Sequence, residues 1–220
     1  MKYVFLALYA AAIVLHLIAC YPPEKHPLRM VTKCLLMPLL AACYYFTADE
    51  FSGLVLAGVL CGFWGDVFLL VPEKSWTFIC GLFSFAVGHV FYTVYLAGQL
   101  NPAAFPPLWQ VVPLAGLYLA GVFMMFKTLW PRLPKKMFAP CLLYMLDISV
   151  MSLFAFLFWY TRGGIACLLA FVGSLFFIAS DSVLSIVTFK RRIPYRYFIV
   201  MGTYIIAQTL LVFSFSYRGI

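Results

Sequence analysis

Long apolar runs, interrupted by short polar or proline-bearing breaks, follow one another along the whole chain. We interpret them as membrane-spanning helices, because a bilayer core of roughly 30 Å takes about 20 helical residues per crossing. The eight predicted spans are residues 3–20, 29–47, 51–71, 76–98, 109–128, 137–160, 164–189 and 197–216. The pattern predicts an all-α integral membrane protein, in which residues 1–220 form a single transmembrane domain built as a bundle of eight helices.

The composition excludes a soluble globular protein. Of the 220 residues, 65% are apolar and 10% are charged, and the mean hydropathy is +1.02. A soluble domain is about 45–50% apolar and about 25% charged, so this chain could not cover a water-exposed surface. The cysteines lie almost entirely inside the apolar runs and form no C-x-x-C pair, which indicates small core residues and not a disulfide framework.

The net charge of +8 reflects membrane orientation, and we expect no nucleic-acid partner. We number the connections between spans in chain order, so that the first joins spans 1 and 2. Most basic residues fall in or beside the odd-numbered connections: Lys25, Arg29, Lys74, Lys127, Arg132, Lys135, Lys136, Lys190, Arg191, Arg192 and Arg196. The N-terminus, the even-numbered connections and the C-terminus together hold three basic residues, Lys2, Arg162 and Arg218. The positive-inside rule therefore predicts that both termini lie on the non-cytoplasmic side.

The first span also resembles a lipoprotein signal peptide that ends at Cys20. Cleavage there would place Lys25 and Arg29 outside, against the charge bias of every later connection, so we interpret the segment as a span. The short connections and the lack of tails favour a bacterial inner membrane, although a eukaryotic reticulum membrane fits the same pattern.

Ionisable residues inside spans are costly, and each is a functional hypothesis by default. The candidates are Lys33, Asp66, His89, Asp147 and Asp181. Asp66 and Asp181 lie about 8 and 12 Å from the predicted inner surface, at roughly 1.5 Å per residue. Tyr144, Tyr204 and Gln208 fall in the same half of the bundle, which predicts one buried pocket open toward the cytoplasmic leaflet.

Asp66 and Asp181 share a local pattern, a small residue, the aspartate, two further residues and a leucine. The shared pattern and similar depth favour a common site. The alternative is structural, with each aspartate bonded to a neighbouring helix or paired with Lys33. Spans 3–4 and 7–8 could also derive from a duplicated helix pair. In the first pair Asp66 is followed by His89 on the next span, and in the second Asp181 is followed by Gln208.

His89 and Tyr92 share a helix face, where they could bind a substrate oxygen, orient a carboxylate or form a structural hydrogen bond. We predict no metal, because zinc usually needs three or more protein ligands, and no other cofactor. Asp147, one turn after Tyr144, could join the pocket or pair with Lys33.

Several short motifs, in order along nearly the whole chain, resemble those of the lysoplasmalogenases, small eight-span proteins also called YhhN-like. They are Lys33, Gly65-Asp66-Val67-Phe68-Leu69, Gly88-His89-Val90-Phe91-Tyr92, Tyr144 with Met151, Ser180-Asp181-Ser182-Val183-Leu184, and Tyr204 with Ala207-Gln208. One departure is Cys34, which stands where the family often has a proline after the lysine.

The resemblance implies hydrolysis of the vinyl-ether bond of a lysoplasmalogen, a single-chain phospholipid, by Asp66 and Asp181. One carboxyl group would act as the general acid, and the ionised one would stabilise the oxocarbenium ion and activate water. The lysine Lys33 would meet the phosphate. Substrate-binding or orienting roles fall to Tyr92, Tyr144, Tyr204, His89 and Gln208.

The expected partners are the lysophospholipid substrate and membrane lipid, with no obligate protein partner. Three other functions fit the same residues. A hydrolase of another single-chain lipid could use the same carboxyl groups, and a small proton-coupled transporter also buries aspartates beside a histidine. A purely structural membrane protein is the third.

Overall fold

The computed structural model describes residues 1–21, 27–70, 75–191 and 193–216, and within these ranges all regular structure is helical. Its helices are α1 (Lys2–Cys20), α2 (Pro27–Thr47), α3 (Gly53–Phe68), α4 (Ser75–Gln99), α5 (Leu108–Leu129), α6 (Phe138–Arg162), α7 (Gly164–Phe189) and α8 (Arg196–Ser214). Single 3₁₀ turns at Pro102–Ala104, Trp130–Arg132 and Lys135–Met137 lie in the connections. The helix order confirms the predicted all-α membrane protein.

Helix α3 is shorter than its predicted span of residues 51–71. In the described part of the chain, seven helices are long and apolar enough to cross a membrane, whereas α3 has 16 residues and a length of about 24 Å. Ser52 is extended, and α3 ends at Phe68. In the sequence, the apolar run continues past Phe68 as Leu69-Leu70-Val71, so hydropathy alone did not locate the end of the helix. Asp66 lies closer to that end than predicted.

The odd-numbered connections meet at one end of the bundle, which we call the basic end. The ring of Tyr21, after α1, lies 5.3 Å from that of Tyr195, before α8. Near the start of α6, Arg132 donates a hydrogen bond to the carbonyl oxygen of Lys190, after α7. Lys25, Lys74 and Arg192 lie outside the described residues. The predicted cytoplasmic location of this end stays a prediction.

The even-numbered connections lie at the other end. Arg162 donates to the carbonyl oxygen of Gln99, and the backbone N–H of Asp49 donates to that of Ser216. Between α6 and α7, Gly163 and Gly164 have φ of 71° and 77°, a region that glycine adopts without steric cost. The chain therefore reverses direction between Arg162, the last residue of α6, and Gly164, the first residue of α7. Arg218 lies outside the described residues.

Small residues allow the closest helix contacts. A Cβ at Gly65 of α3 would lie 2.6 Å from the ring of Phe85 on α4. A Cβ at Gly173 of α7 would lie 3.0 Å from the backbone oxygen of Ala207 on α8. Such glycines let backbones approach within a membrane. The cysteines are free, as predicted, and Cys20, Cys43, Cys141 and Cys167 are buried.

Helix α5 lies at the edge of the bundle. It packs against α6 and more lightly against α7, and Leu119 and Phe123, which do not line the groove beside this helix, are more than half exposed. Its polar anchor is Tyr118, whose hydroxyl group lies 2.7 Å from that of Ser152 on α6. The light packing leaves a groove between α5 and the rest of the bundle.

The close contact of α7 with α8 predicts that Gly173→Ala destabilises the protein. The added methyl group would overlap backbone atoms that cannot rotate away, and overpacking of this kind costs about 1–3 kcal/mol. The midpoint of thermal unfolding in detergent measures the effect. Gly116→Ala on α5, where nothing lies within 4 Å of the new atom, is the matched control and should unfold as the natural chain does. Equal midpoints for the two variants would contradict the close approach.

Candidate active site

Asp66 holds the most buried carboxyl group of the predicted set, with 2% of the residue exposed. It lies in the last turn of α3, where Oδ1 is 3.1 Å from Nζ of Lys33 on α2. The hydroxyl group of Tyr204 on α8 donates to Oδ2 over 2.9 Å. The lysine that we expected to meet a phosphate thus pairs with this carboxylate, and three helices are joined at Asp66.

Asp181 has a different set of contacts. It lies on α7, accepts a hydrogen bond from the hydroxyl group of Tyr144 on α6, and remains partly exposed. No ion pair to Asp181 occurs among the described residues. The two aspartates therefore differ in charge environment, since a cation stabilises the ionised form of Asp66 and only a hydroxyl group bonds Asp181.

Both aspartates line one cavity of about 390 Å³ at the basic end, which we call the charged cavity. Its walls come from the end of α1, the start of α2, the end of α3, the start of α4 and the facing ends of α7 and α8. The polar lining residues are His16, Arg29, Lys33, Asp66, Ser180, Asp181, Thr188, Arg196, Tyr197 and Tyr204. This volume falls within the range of small-molecule sites, and the predicted common pocket for Asp66 and Asp181 is present.

A second cavity of about 370 Å³, the apolar groove, lies between α5, α6 and α7 with a contribution from α4. Its lining is largely apolar and includes Leu82, Leu114, Val122, Ile148, Phe171 and Ile178. Gly121 on α5 lies along it, with no atom within 4 Å of an added Cβ. The groove is only partly enclosed.

Asp181 lines both cavities, together with Phe78. Its partner Tyr144 faces the apolar groove, whereas Tyr204, the partner of Asp66, faces the charged cavity. A carboxyl group therefore lies where a polar chamber adjoins an apolar one. A molecule with a charged end and a hydrocarbon end could place its junction at Asp181.

Three of the predicted residues line neither of these two cavities. The hydroxyl group of Tyr92 donates to Oε1 of Gln208 over 3.0 Å, and both side chains are buried. A Cβ at Gly62 would lie 3.2 Å from Nε2 of Gln208 and 3.5 Å from the hydroxyl oxygen of Tyr204. Tyr92 and Gln208 thus lie behind Tyr204 and support it, instead of facing the cavity.

His89, the third of these residues, pairs with Asp147. Its Nδ1 lies 3.0 Å from Oδ2 of Asp147, and its ring packs edge-on against Phe177. Asp147 therefore does not pair with Lys33, which was one of the two possibilities left by the sequence. Only 1% of His89 is exposed, and its Nε2 has no hydrogen-bond partner within the described residues.

The residues of the charged cavity that the sequence prediction missed include Arg29, Arg196 and Tyr197. The two arginines were assigned to membrane orientation. Helical spacing could have indicated them, because Arg29 lies one turn before Lys33 and Tyr197 lies two turns before Tyr204 on the same helix face.

The arrangement suits acid–base chemistry. Two carboxyl groups in one chamber, one in an ion pair and the other bonded by a hydroxyl group, can divide the roles of base and acid. Among the described residues, no three histidine, cysteine, aspartate or glutamate side chains come together as metal ligands.

The sequence profile of the YhhN family matches residues 28–215, which include every residue of the charged cavity except His16. The chain is similar to the membrane protein YhhN of Escherichia coli O157:H7, with 29% identity over 180 residues that make up 82% of each chain. No solved structure matches this chain.

Two mammalian relatives have names that state an activity. Lysoplasmalogenase TMEM86B of Mus musculus is 31% identical over 186 residues, 83% of this chain and 73% of the mouse protein. Lysoplasmalogenase TMEM86A of Homo sapiens is 30% identical over 177 residues, 74% of this chain and 63% of the human protein. The motifs identified in the sequence and these matches agree, and the chain belongs to the YhhN family of membrane proteins.

Proposed function

We propose that this protein is a membrane-embedded hydrolase that cleaves the vinyl-ether bond of lysoplasmalogens, with Asp181 as the general acid and Asp66 as the ionised partner. The position of Asp181, in the wall of both the charged cavity and the apolar groove, carries the proposal. The names of the mammalian relatives support the substrate class.

The two cavities suit the two halves of a lysoplasmalogen. Its glycerophospho head group is polar and matches the charged cavity, while its single hydrocarbon chain matches the apolar groove. The vinyl-ether bond joins these halves, so a lipid that fills both cavities has this bond beside Asp181. The groove is only partly enclosed and α5 packs lightly beside it, so we expect the chain to enter from the lipid along α5.

The contacts of the two aspartates support this division of roles. Lys33, with its Nζ 3.1 Å from Oδ1 of Asp66, favours the ionised form of this carboxyl group. Asp181 has no described cation partner and borders the apolar groove, so the protonated form is the one favoured there. Tyr144 bonds one oxygen of Asp181, which leaves the other oxygen for the transferable proton.

The reaction consumes one water molecule. Asp181 transfers its proton to the carbon of the double bond remote from oxygen, and the positive charge that forms on the carbon–oxygen unit is stabilised by Asp66. Water adds to the charged carbon and gives its proton to a carboxylate. The hemiacetal then breaks into a fatty aldehyde and the glycerol hydroxyl group of the head-group product.

The proposal predicts that Asp66→Asn and Asp181→Asn each reduce fatty-aldehyde release from a lysoplasmalogen by about 10²–10⁴-fold, the usual contribution of acid–base catalysis. The measurement is single-turnover aldehyde release in detergent, alongside binding of a saturated-ether analogue that cannot be cleaved. Binding of the analogue should persist in Asp181→Asn.

Asp147→Asn is the matched control, because Asp147 lies inside a span but lines neither cavity. It should keep most of the activity. Natural rates in either cavity-aspartate variant would overturn the assignment. Hydrolysis of an ester-linked lysophospholipid by the natural chain, without any aldehyde from the vinyl ether, would indicate another single-chain lipid as substrate.

Proton transfer to carbon predicts an isotope pattern. In D₂O, the fatty aldehyde should gain one deuterium at the carbon next to the carbonyl group, because that carbon receives the proton of Asp181. Mass spectrometry of the trapped aldehyde measures the label, and the same aldehyde incubated with the protein in D₂O corrects for exchange. An unlabelled product would exclude protonation at this carbon.

The apolar groove predicts chain-length selection. Gly121→Leu fills space beside the groove, so kcat/KM for a long-chain substrate should fall about tenfold or more, since each lost methylene contact is worth about 1–3 kcal/mol. A short-chain substrate should be much less affected. Gly116→Leu, on the exposed face of α5, is the control. Equal losses for both chain lengths would place the chain elsewhere.

A further inference from the structure

We propose that Arg29 and Arg196, both stacked on the ring of Tyr197, bind the phosphate group of the lipid head group at the basic end of the charged cavity. The inference rests on the proposed function for the identity of the lipid. It names a binding site that is separate from the two carboxyl groups.

The three side chains form one cluster in the cavity wall. The guanidinium carbon of Arg29 lies 3.5 Å from the centre of the Tyr197 ring, and that of Arg196 lies 4.5 Å from it. Arg196 also donates to the hydroxyl group of Tyr197 over 3.0 Å. Stacking on an aromatic ring fixes the plane of a guanidinium group and leaves its N–H donors directed away from the ring.

Arg29 has a donor that the described residues do not satisfy. Its Nη1 is buried and has no hydrogen-bond partner among them. Buried donors are normally paired, and an unpaired one requires an explanation. Because Arg29 lines the charged cavity, an acceptor bound there supplies the missing partner.

The local charge favours an anion. The ion pairs between described side chains use Lys33 and His89, and neither involves Arg29 or Arg196. Both arginines lie in the first turns of their helices, α2 and α8, where the helix dipole adds positive potential. Two like charges against one ring repel each other, and a bidentate oxyanion relieves that repulsion.

The position of the two arginines relative to the carboxyl groups suits a phosphate attached to a glycerol backbone. On α2, Arg29 lies one turn, about 6 Å, nearer the helix start than Lys33, which marks the position of Asp66. The glycerol backbone of a lysophospholipid separates the chain oxygen from the phosphate by three carbons, a similar span. Asp181 and the two arginines line the same charged cavity. With the chain in the groove and the ether at Asp181, the phosphate therefore lies in the chamber that the arginines line. Lys33 is occupied by Asp66, so the predicted phosphate role passes from Lys33 to Arg29 and Arg196.

The experiment compares binding of amphiphiles that share a chain. Purified protein in detergent is titrated with a lysophosphatidylethanolamine and with the monoacylglycerol of the same chain, which lacks phosphate. The natural chain should bind the phospholipid about tenfold more tightly, equivalent to about 1.4 kcal/mol. Arg29→Gln and Arg196→Gln should each lose most of this difference and keep natural binding of the monoacylglycerol.

The controls separate charge from folding. Lys135→Gln removes a charge from an exposed position at the basic end that does not line the charged cavity, and it should bind both amphiphiles as the natural chain does. Arg29→Lys keeps the positive charge but lacks the planar pair of N–H donors of a guanidinium group. It should recover only part of the affinity difference between the two amphiphiles. Tyr197→Phe keeps the stacking surface and should retain preference, whereas Tyr197→Leu should lose it.

A competition measurement distinguishes the phosphate of a lipid head group from free inorganic phosphate. Inorganic phosphate added at millimolar concentration should displace the lysophospholipid poorly. If it displaces the phospholipid fully, or if the arginine variants keep the natural preference, the inference is overturned. Because these readouts are binding constants, they do not depend on turnover. The arginine variants could lose the preference for the phospholipid while the natural chain releases no aldehyde. That result would refute the proposed reaction and support the phosphate site.

Discussion

Two carboxyl groups inside an apolar bundle each need a polar partner, because a buried ionised group without one is strongly destabilising. Asp66 is satisfied by Lys33 and Tyr204, and Asp181 by Tyr144. These contacts join α2, α3 and α8 on one side and α6 and α7 on the other. The polar interior is thus part of what holds the helices in register.

These partners meet because small residues let the helices approach. Gly65 places α3 against Phe85 of α4, and Gly173 places α7 against the backbone of α8. In a bilayer, association depends on such close packing, since burial of apolar surface from lipid gains little. Substitution at these positions would therefore move the walls of the charged cavity as well as the helices.

The edge position of α5 has the opposite effect. Its packing is light, its polar anchor is the hydroxyl pair of Tyr118 and Ser152, and an apolar groove remains beside it. A chamber lined by arginines, a lysine and carboxyl groups adjoins this groove at Asp181. The division between tight and loose packing gives the bundle an amphiphilic interior, which suits a lipid with one chain and one charged head.

The sequence by itself determined the class of protein, the number of helices and the residues that need explanation. Hydropathy is a sum over local composition, so it located the helices within a few residues but not the early end of α3 at Phe68. The cost of charge in a membrane singled out Lys33, Asp66, His89, Asp147 and Asp181 before any contact was known.

Only the tertiary structure decided which of these groups pair. Lys33 bonds Asp66, and Asp147 bonds His89; the sequence left both choices open, because pairing depends on how helices rotate about their axes. For the same reason Arg29 and Arg196, which look like orientation signals along the chain, prove to line the cavity with Tyr197. Tyr92 and Gln208, at suitable depth in the sequence, lie behind its wall. Depth follows from position along a helix, but the direction in which a side chain faces is set by the packing of all its neighbours.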